Sequence, residues 1–268
     1  MKQKTTMKKV FDTNQEYHAS EGISASGLKS IVSFKGSVQE YLAQTYKSSD
    51  AFSFGNAIHT LLLEGRQKYE DQYYDLPEIG DLRTKANKEL KEQLMVKAGN
   101  RQVIDYKDVQ TIREIERQFY AKPLAVESCK GDIELSHYTE FEGVKVRVRP
   151  DCINQDKNFI GDVKSTKSII NFKSDVYNYN YHVQGAFYCT ILGIPIENFR
   201  LVAVKNNIQY NNPMYPETMV HVCRLNDQMI EKGFELMRWA FDRWKHYVET
   251  GEALGIDSAF DENGIAIL

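Results

Sequence analysis

Val144-Lys-Val-Arg-Val-Arg-Pro-Asp151 and Asn158-Phe-Ile-Gly-Asp-Val-Lys164 are the stretches that decide how this chain folds. In the first, valines at 144, 146 and 148 alternate with Lys145, Arg147 and Arg149, the period-two pattern of a half-buried strand. Glu142-Gly143 ahead of it suits a hairpin turn, which makes the alternating run Asp132–Phe141 its antiparallel neighbour. Pro150-Asp151 is expected to end the second strand, and Asp162-Val163-Lys164 the third. Neighbouring antiparallel strands then bring the two acids together at one end of a sheet. Successive side chains point to opposite faces, so Asp162 and Lys164 share a face that Val163 does not.

Outward from this hairpin the period changes. Toward the N-terminus, the residues up to about Tyr17 are polar and predict a loosely held start. Ser24 or Ser26 suits the cap of a short helix through Leu28 and Ile31. Helices are expected over Ala51–Glu64, Thr84–Ala98 and Lys107–Ala121, the last with Val109, Ile112, Ile115 and Phe119 near one face. Beyond the third strand come a helix over Asp175–Leu192, strands over Phe199–Val204 and Thr218–Cys223, and a long helix over Asp227–Glu249. This order predicts an α/β (α+β) domain, a central mixed sheet flanked by helices. No linker divides it, so residues 1–268 read as one domain. Residues 1–125 form a mostly helical N-terminal elaboration, and residues 126–268 the sheet-containing core.

Composition sets wide bounds. Hydrophobic residues at 42% and charged residues at 26% are ordinary for a globular enzyme and exclude collagen-like or disordered classes. No apolar run is long enough to span a bilayer, and no apolar signal segment follows the basic opening, so a cytoplasmic, membrane-free protein is expected. The four cysteines are widely separated, which excludes a sequence-local zinc ribbon or iron–sulfur motif. The net charge of −3 decides nothing about nucleic acid, because metal-binding carboxylates offset a local basic track.

Asp151, Asp162 and Lys164 are the residue types that phosphodiester hydrolysis needs. Hard oxygen ligands bind Mg²⁺ or Mn²⁺, which polarises a phosphoryl oxygen, and the carbonyl of Val163 is placed to join them. A lysine beside the ion orients the attacking water and offsets charge that builds in the transition state. A lone D-x-K is also the pattern of an ordinary surface ion pair. Gly55-Asn-Ala-Ile-His59 reads either as a core histidine on a helix or as a further metal ligand. Gln184-Gly-Ala-Phe-Tyr188 places Gln184 and Tyr188 on one helix face, at the edge of the core or beside the site.

In order, GxxxH, PD, DxK and QxxxY resemble the signature of the RecB-like branch of the PD-(D/E)xK nucleases. The chain is similar in particular to phage and prophage exonucleases of the RecE (exonuclease VIII) type. The similarity is carried by Tyr17-His-Ala-Ser20, Ile23-Ser-Ala-Ser-Gly-Leu28, Phe54–Glu64, Val148-Arg-Pro-Asp151, Asp162-Val-Lys-Ser-Thr166 and Tyr181–Tyr188. It implies a PD-(D/E)xK nuclease core in which His59, Asp151, Asp162 and the Val163 carbonyl bind metal and Lys164 is the catalytic lysine. Gln184 and Tyr188 would surround the scissile nucleotide. It also implies a 5′→3′ exodeoxyribonuclease acting on duplex DNA ends and leaving 3′ overhangs for strand annealing. A ring-shaped homo-oligomer (a tetramer is one form), a RecT-type annealing partner and a phage or prophage origin in a bacterial cytoplasm complete that expectation.

Weaker signals surround these motifs. Lys145, Arg147 and Arg149 share a strand face suited to DNA phosphates, and Arg149 beside Pro150-Asp151 is the best placed. Tyr177, Tyr179 and Tyr181 suit either stacking on separated bases, with Tyr181 the candidate for DNA, or packing at the helix start, the expected role of at least two of them. Glu134 is a candidate for supporting the metal ligands. Two other readings of the chain stay open. One is a RecB-like module acting on single strands within a larger complex. The other is a non-catalytic DNA-end binding scaffold on a nuclease fold.

Overall fold

The computed structural model describes residues 7–44, 54–209, 214, 216–257, 259–260 and 266–267. The N-terminal part contains β1 (Lys8–Val10), α1 (Asn14–Ala19), β2 (Ile23–Ser24), α2 (Ala25–Ser33), α3 (Val38–Ala43) and α4 (Phe54–His59). A π-helical turn (Thr60–Glu64) leads into α5 (Arg66–Gln72), β3 (Tyr73–Asp75), α6 (Lys85–Ala98), β4 (Gln102–Ile104), α7 (Tyr106–Tyr120) and α8 (Pro123–Ser128). The core adds β5 (Asp132–Ile133), β6 (Ser136–Phe141), β7 (Val144–Val148), β8 (Cys152–Asn154), β9 (Phe159–Thr166), α9 (Phe172–Asn178) and α10 (Tyr181–Leu192). It ends with β10 (Phe199–Lys205), β11 (Val220–Cys223), α11 (Asp227–Thr250) and a short antiparallel pair, β12 (Ala259–Phe260) and β13 (Ala266–Ile267).

The predicted three-strand meander is in fact two sheets that share two bent strands. The run 132–141 breaks where Glu134 takes a left-handed backbone (φ 47°). Its first part, β5, joins a five-stranded sheet of order β11-β10-β9-β8-β5. Its second part, β6, joins a four-stranded sheet of order β1-β6-β7-β2. The run 144–154 breaks likewise around Pro150, which lacks an N–H for a ladder, leaving β7 in one sheet and β8 in the other. The Glu134 N–H donates to the Asp151 carbonyl (3.1 Å), so the two crossovers are tied together. The larger sheet is mixed: β9 and β10 are parallel, while β8–β9 and β10–β11 are antiparallel.

Helices cover both faces of that sheet. On one side, Ile153, Ile160, Leu201 and Ala203 pack with α2, α10 and α11 through Leu28, Ile31, Val183, Phe187, Ala240 and Phe241. On the other, Val163, Val202, Val204 and Val220 meet the α4 turn, α7 and α8 through Ile58, Leu61, Ile112, Ile115 and Ala125. Each fully buried aliphatic side chain stabilises by about 1.5–3 kcal/mol, and near-continuous apolar strands are what a two-faced sheet requires. β9 shows the alternation plainly. Ile160 faces the α10 layer and Val163 the opposite one.

Two local expectations need correction. Of the N-terminal stretch, the described residues 7–17 are not loose, because β1 pairs with β6 and α1 carries a full capping box between Thr13 and Glu16. Tyr17 is buried, and Arg147 donates to the carbonyls of Tyr17 (2.8 Å), His18 (3.3 Å) and Ser20. The helix expected over 175–192 is two helices, α9 and α10, separated at Asn180, whose left-handed backbone (φ 54°) breaks the helical run. The start of the helix expected from Ala51 lies outside the described residues.

Candidate active site

Asp162 sits inside β9 rather than at its end, and β9 is pinned there by a close backbone approach. Gly161 lies so near the end of α8 that a Cβ would stand 1.8 Å from the Ser128 carbonyl oxygen. Gly161 is also the register partner of Cys152 on antiparallel β8, so Asp151, one residue earlier, faces Asp162 across the strand pair. The sheet crossover therefore presents one acid, and the middle of a fully covered strand the other.

Both acids are held by directed bonds. Asp151 Oδ2 accepts the Val163 backbone N–H at 2.7 Å. Asp162 Oδ1 accepts Gln184 Nε2 at 2.9 Å. Asp162 Oδ2 is ion-paired with the Lys164 ammonium. Tyr188 donates its hydroxyl to the Arg149 carbonyl at 3.0 Å. One turn apart on α10, Gln184 thus fixes Asp162 and Tyr188 fixes the backbone leading into Asp151.

Charge follows from burial. Asp162 is fully buried, and desolvation, then the neighbouring Asp151, raises its carboxyl above the ordinary carboxylate range against the pull of Lys164. Burial works against the Lys164 ammonium too, but the Asp162 and Asp151 carboxylates outweigh it and raise its value, so the proton stays on the lysine. The Lys164 ammonium also lies 5.1 Å from the centroid of the Tyr181 ring.

From the opposite layer, His59 ends α4 at the π-helical turn, and its Nε2 lies 2.9 Å from the Val163 carbonyl and 3.6 Å from Asp151 Oδ2. A cavity of ≈ 220 Å³ opens beside these groups, bounded by Tyr17, Lys29, Arg149, Asp151, Lys164 and Gln184 among others. Arg149 faces it with its guanidinium 4.4 Å from the Tyr17 ring centroid and 3.9 Å from Asp12. Its Nη1 is buried and receives no hydrogen-bond partner. Glu134 borders the same cavity, its carboxyl raised by burial.

Not every basic residue of the β7 face reaches this site. Lys145 pairs with Glu21 on the exposed side of the smaller sheet, and Arg147 is buried under the C-terminal end of α1. Arg147 anchors α1, and of the three only Arg149 borders the cavity. Lys29 on α2 is the site residue that sequence reasoning missed. The only signal was its position directly after the Ile23–Leu28 motif.

The donor set suits a divalent ion by type. It offers two carboxylates, a carbonyl oxygen and an imidazole, the hard oxygen and nitrogen donors that such an ion takes. Spacing is a separate matter. Among the described residues no three His, Cys, Asp or Glu side chains are gathered into a ready ion cage. His59, Asp151 and Val163 instead bond to one another.

A mixed sheet between helical layers, with Asp151 opposite an Asp162-Val163-Lys164 strand, defines the PD-(D/E)xK class. The chain belongs to the family described as PDDEXK-like domain of unknown function (DUF3799), whose model matches residues 24–252. Members of the PD-(D/E)xK superfamily are nucleases that generally use divalent metals. The fold is similar to the solved structure of a protein provisionally named an exonuclease from Eubacterium rectale, at 17% identity and a TM-score of 0.54, covering 91% of this chain and 89% of that one. A phage related exonuclease from Haemophilus somnus 129PT is more distant, at 15% identity and a TM-score of 0.31, covering 65% of this chain and 92% of that one. No curated protein matches the chain. Among the described residues no helix is long and apolar enough to cross a membrane.

Proposed function

We propose that this protein is a metal-dependent exodeoxyribonuclease of the RecE type, hydrolysing phosphodiester bonds from duplex DNA ends in the 5′→3′ direction. The observation that carries the reading is the fully buried Asp162, held between Lys164 and Gln184 and opposite Asp151. Burying a carboxylate is costly unless positive charge compensates it, and a divalent ion would add to what Lys164 supplies to Asp162. His59, Asp151, Asp162 and the Val163 carbonyl would hold Mg²⁺ or Mn²⁺, which supplies positive charge to the phosphoryl oxygens when bound.

The chain's own groups do the rest. Lys164, kept protonated by its two carboxylate neighbours, stabilises charge on the phosphate and orients the attacking water. Arg149, whose side chain borders the cavity, takes an adjacent phosphate. Gln184 and Tyr188 keep the two acids in register. End dependence, polarity, a ring-shaped oligomer and a RecT-type partner are supported by the resemblance of the N-terminal and active-site motifs to the RecE type.

The test is digestion of linear and closed-circular duplex DNA with Mg²⁺ and with EDTA, beside an Asp162→Ala control. Metal-dependent loss of the linear form alone, absent in the variant, is the expected result. Cleavage of the circle would overturn the end-dependent reading. Absence of cleavage, together with no carboxylate-dependent Mn²⁺ binding, would replace it with a DNA-end scaffold.

A further inference from the structure

Lys29 is a second ammonium in the site, and the nuclease reading gives it no task. Its Nζ donates to Gln184 Oε1 at 3.3 Å, and the other end of that amide, Nε2, donates to Asp162 Oδ1 at 2.9 Å. The ammonium lies 5.3 Å from the centroid of the Tyr181 ring, which Lys164 approaches at 5.1 Å. Among the described residues, no carboxylate forms an ion pair with it. Burial, and then repulsion from Lys164, pushes Lys29 down to about 8, so the position is costly for a cation. The Gln184 carbonyl is the acceptor that the geometry directs at it.

A primary amide has nearly the same shape at its two ends and opposite chemistry. Lysine offers only donors and a carboxylate only acceptors. An amide between them has one satisfied orientation, with oxygen toward Lys29 and nitrogen toward Asp162. Gln184 is buried, so removing Lys29 leaves its carbonyl without a donor at a cost of a buried hydrogen bond. The amide then gains by swinging toward the cavity it lines, away from Asp162.

We propose that Lys29 is a positioning residue, which locks the Gln184 amide so that it holds Asp162 Oδ1 and keeps Oδ2 paired with Lys164, whose side chain borders the cavity. The bond geometry stands by itself. Only the kinetic consequence rests on the nuclease reading above.

The experiment compares wild type, Lys29→Met, Lys29→Arg, Gln184→Ala and the Lys29→Met/Gln184→Ala double variant. On linear duplex DNA with Mg²⁺, Lys29→Met should lower kcat about tenfold with KM little changed, and Lys29→Arg should return it to within about threefold of wild type. Adding Lys29→Met to Gln184→Ala should cost nothing more, since both act through one bond chain. Additive losses would overturn the relay. So would a raised KM with weaker salt dependence at unchanged kcat, the mark of a direct phosphate contact. The side-chain amide resonances of Gln184 in ¹⁵N-labelled protein give a readout free of chemistry. They should move or broaden in Lys29→Met, and unmoved resonances would also overturn the proposal. A wild type that neither cleaves DNA nor binds Mn²⁺ defeats the nuclease reading, while the resonances still decide the relay.

Discussion

The Nε2 of His59 lies 2.9 Å from the Val163 carbonyl oxygen, joining the end of a helix in the N-terminal part to the strand that carries Asp162 and Lys164. Both partners are candidate metal donors, and each occupies the other's lone pair or proton. His59 and the Val163 carbonyl would have to give up that contact to hold a cation between them. His59→Ala leaves the carbonyl free and removes one donor, so Mn²⁺ affinity should fall about tenfold or more, while the fold persists. Calorimetric titration with Mn²⁺ checks this, and an unchanged affinity removes His59 from the ligand set. Cleavage by the variant should recover as the metal concentration is raised.

Asp162 and Lys164 are unequal partners. Asp162 is 0% exposed and the Lys164 side chain 15%, so each loses something different when the other is removed. Lys164→Ala strands a buried carboxylate and should destabilise by about 3 kcal/mol. Asp162→Asn removes the charge that was hardest to bury while keeping its shape, so it should cost clearly less. Both variants should lose cleavage. Urea midpoints of the two proteins decide the point, and an equal or reversed order would show that the buried anion is not the costly member.

Gly161 sets the height of β9 against α8. The missing Cβ leaves the Ser128 carbonyl room that any side chain would take, and the opposing atom is backbone rather than a flexible tip. Gly161→Ala should therefore push β9 away from α8 and destabilise by about 3 kcal/mol. Asp162 is the next residue, so any folded fraction should bind Mn²⁺ more weakly as well. A variant with wild-type stability would show that the close approach is not required.

Much of this site was legible because its residues are periodic. The valines of 144–148 mark a strand and its hairpin partner, and the Asp162-Val163-Lys164 triplet marks a strand with Asp162 and Lys164 on one face, but the neighbour of that strand is β8 rather than the valine strand. The residues that escaped notice act through tertiary placement. Glu134 and Asn180 adopt left-handed backbones that interrupt otherwise continuous patterns, and neither is a residue type that forces a break. The swap of strands between two sheets was invisible for the same reason, since the alternation runs on either side of each bend. Arg147 looked like a phosphate contact because charge in a strand usually faces water. Its guanidinium instead serves the carbonyls at the end of α1, an element whose sequence showed only polarity. Lys29 carries no local signal beyond its place after the Ile23–Leu28 motif, because its partner lies 155 residues away.

Two histidines far from the chemistry set an acid limit on the fold. His137 and His182 are buried, and desolvation holds both below the ordinary value of 6.5, although each imidazole Nδ1–H donates to a carbonyl, at Leu135 and Val176. In the unfolded chain both imidazoles take up protons near that ordinary value, while in the folded protein they do so only at lower pH. Below about 6.5 the unfolded state therefore binds more protons, and stability falls as pH falls until the folded values are reached. Above that range the two groups are neutral in both states and contribute no slope. His137 is the stronger case, since its Nε2 is buried with no partner to receive a second proton. His137→Asn keeps a donor for the Leu135 carbonyl and cannot be charged, so its thermal midpoint should decline less steeply than wild type between about pH 7 and about pH 5. Parallel curves for the two proteins would assign the acid limb to other groups.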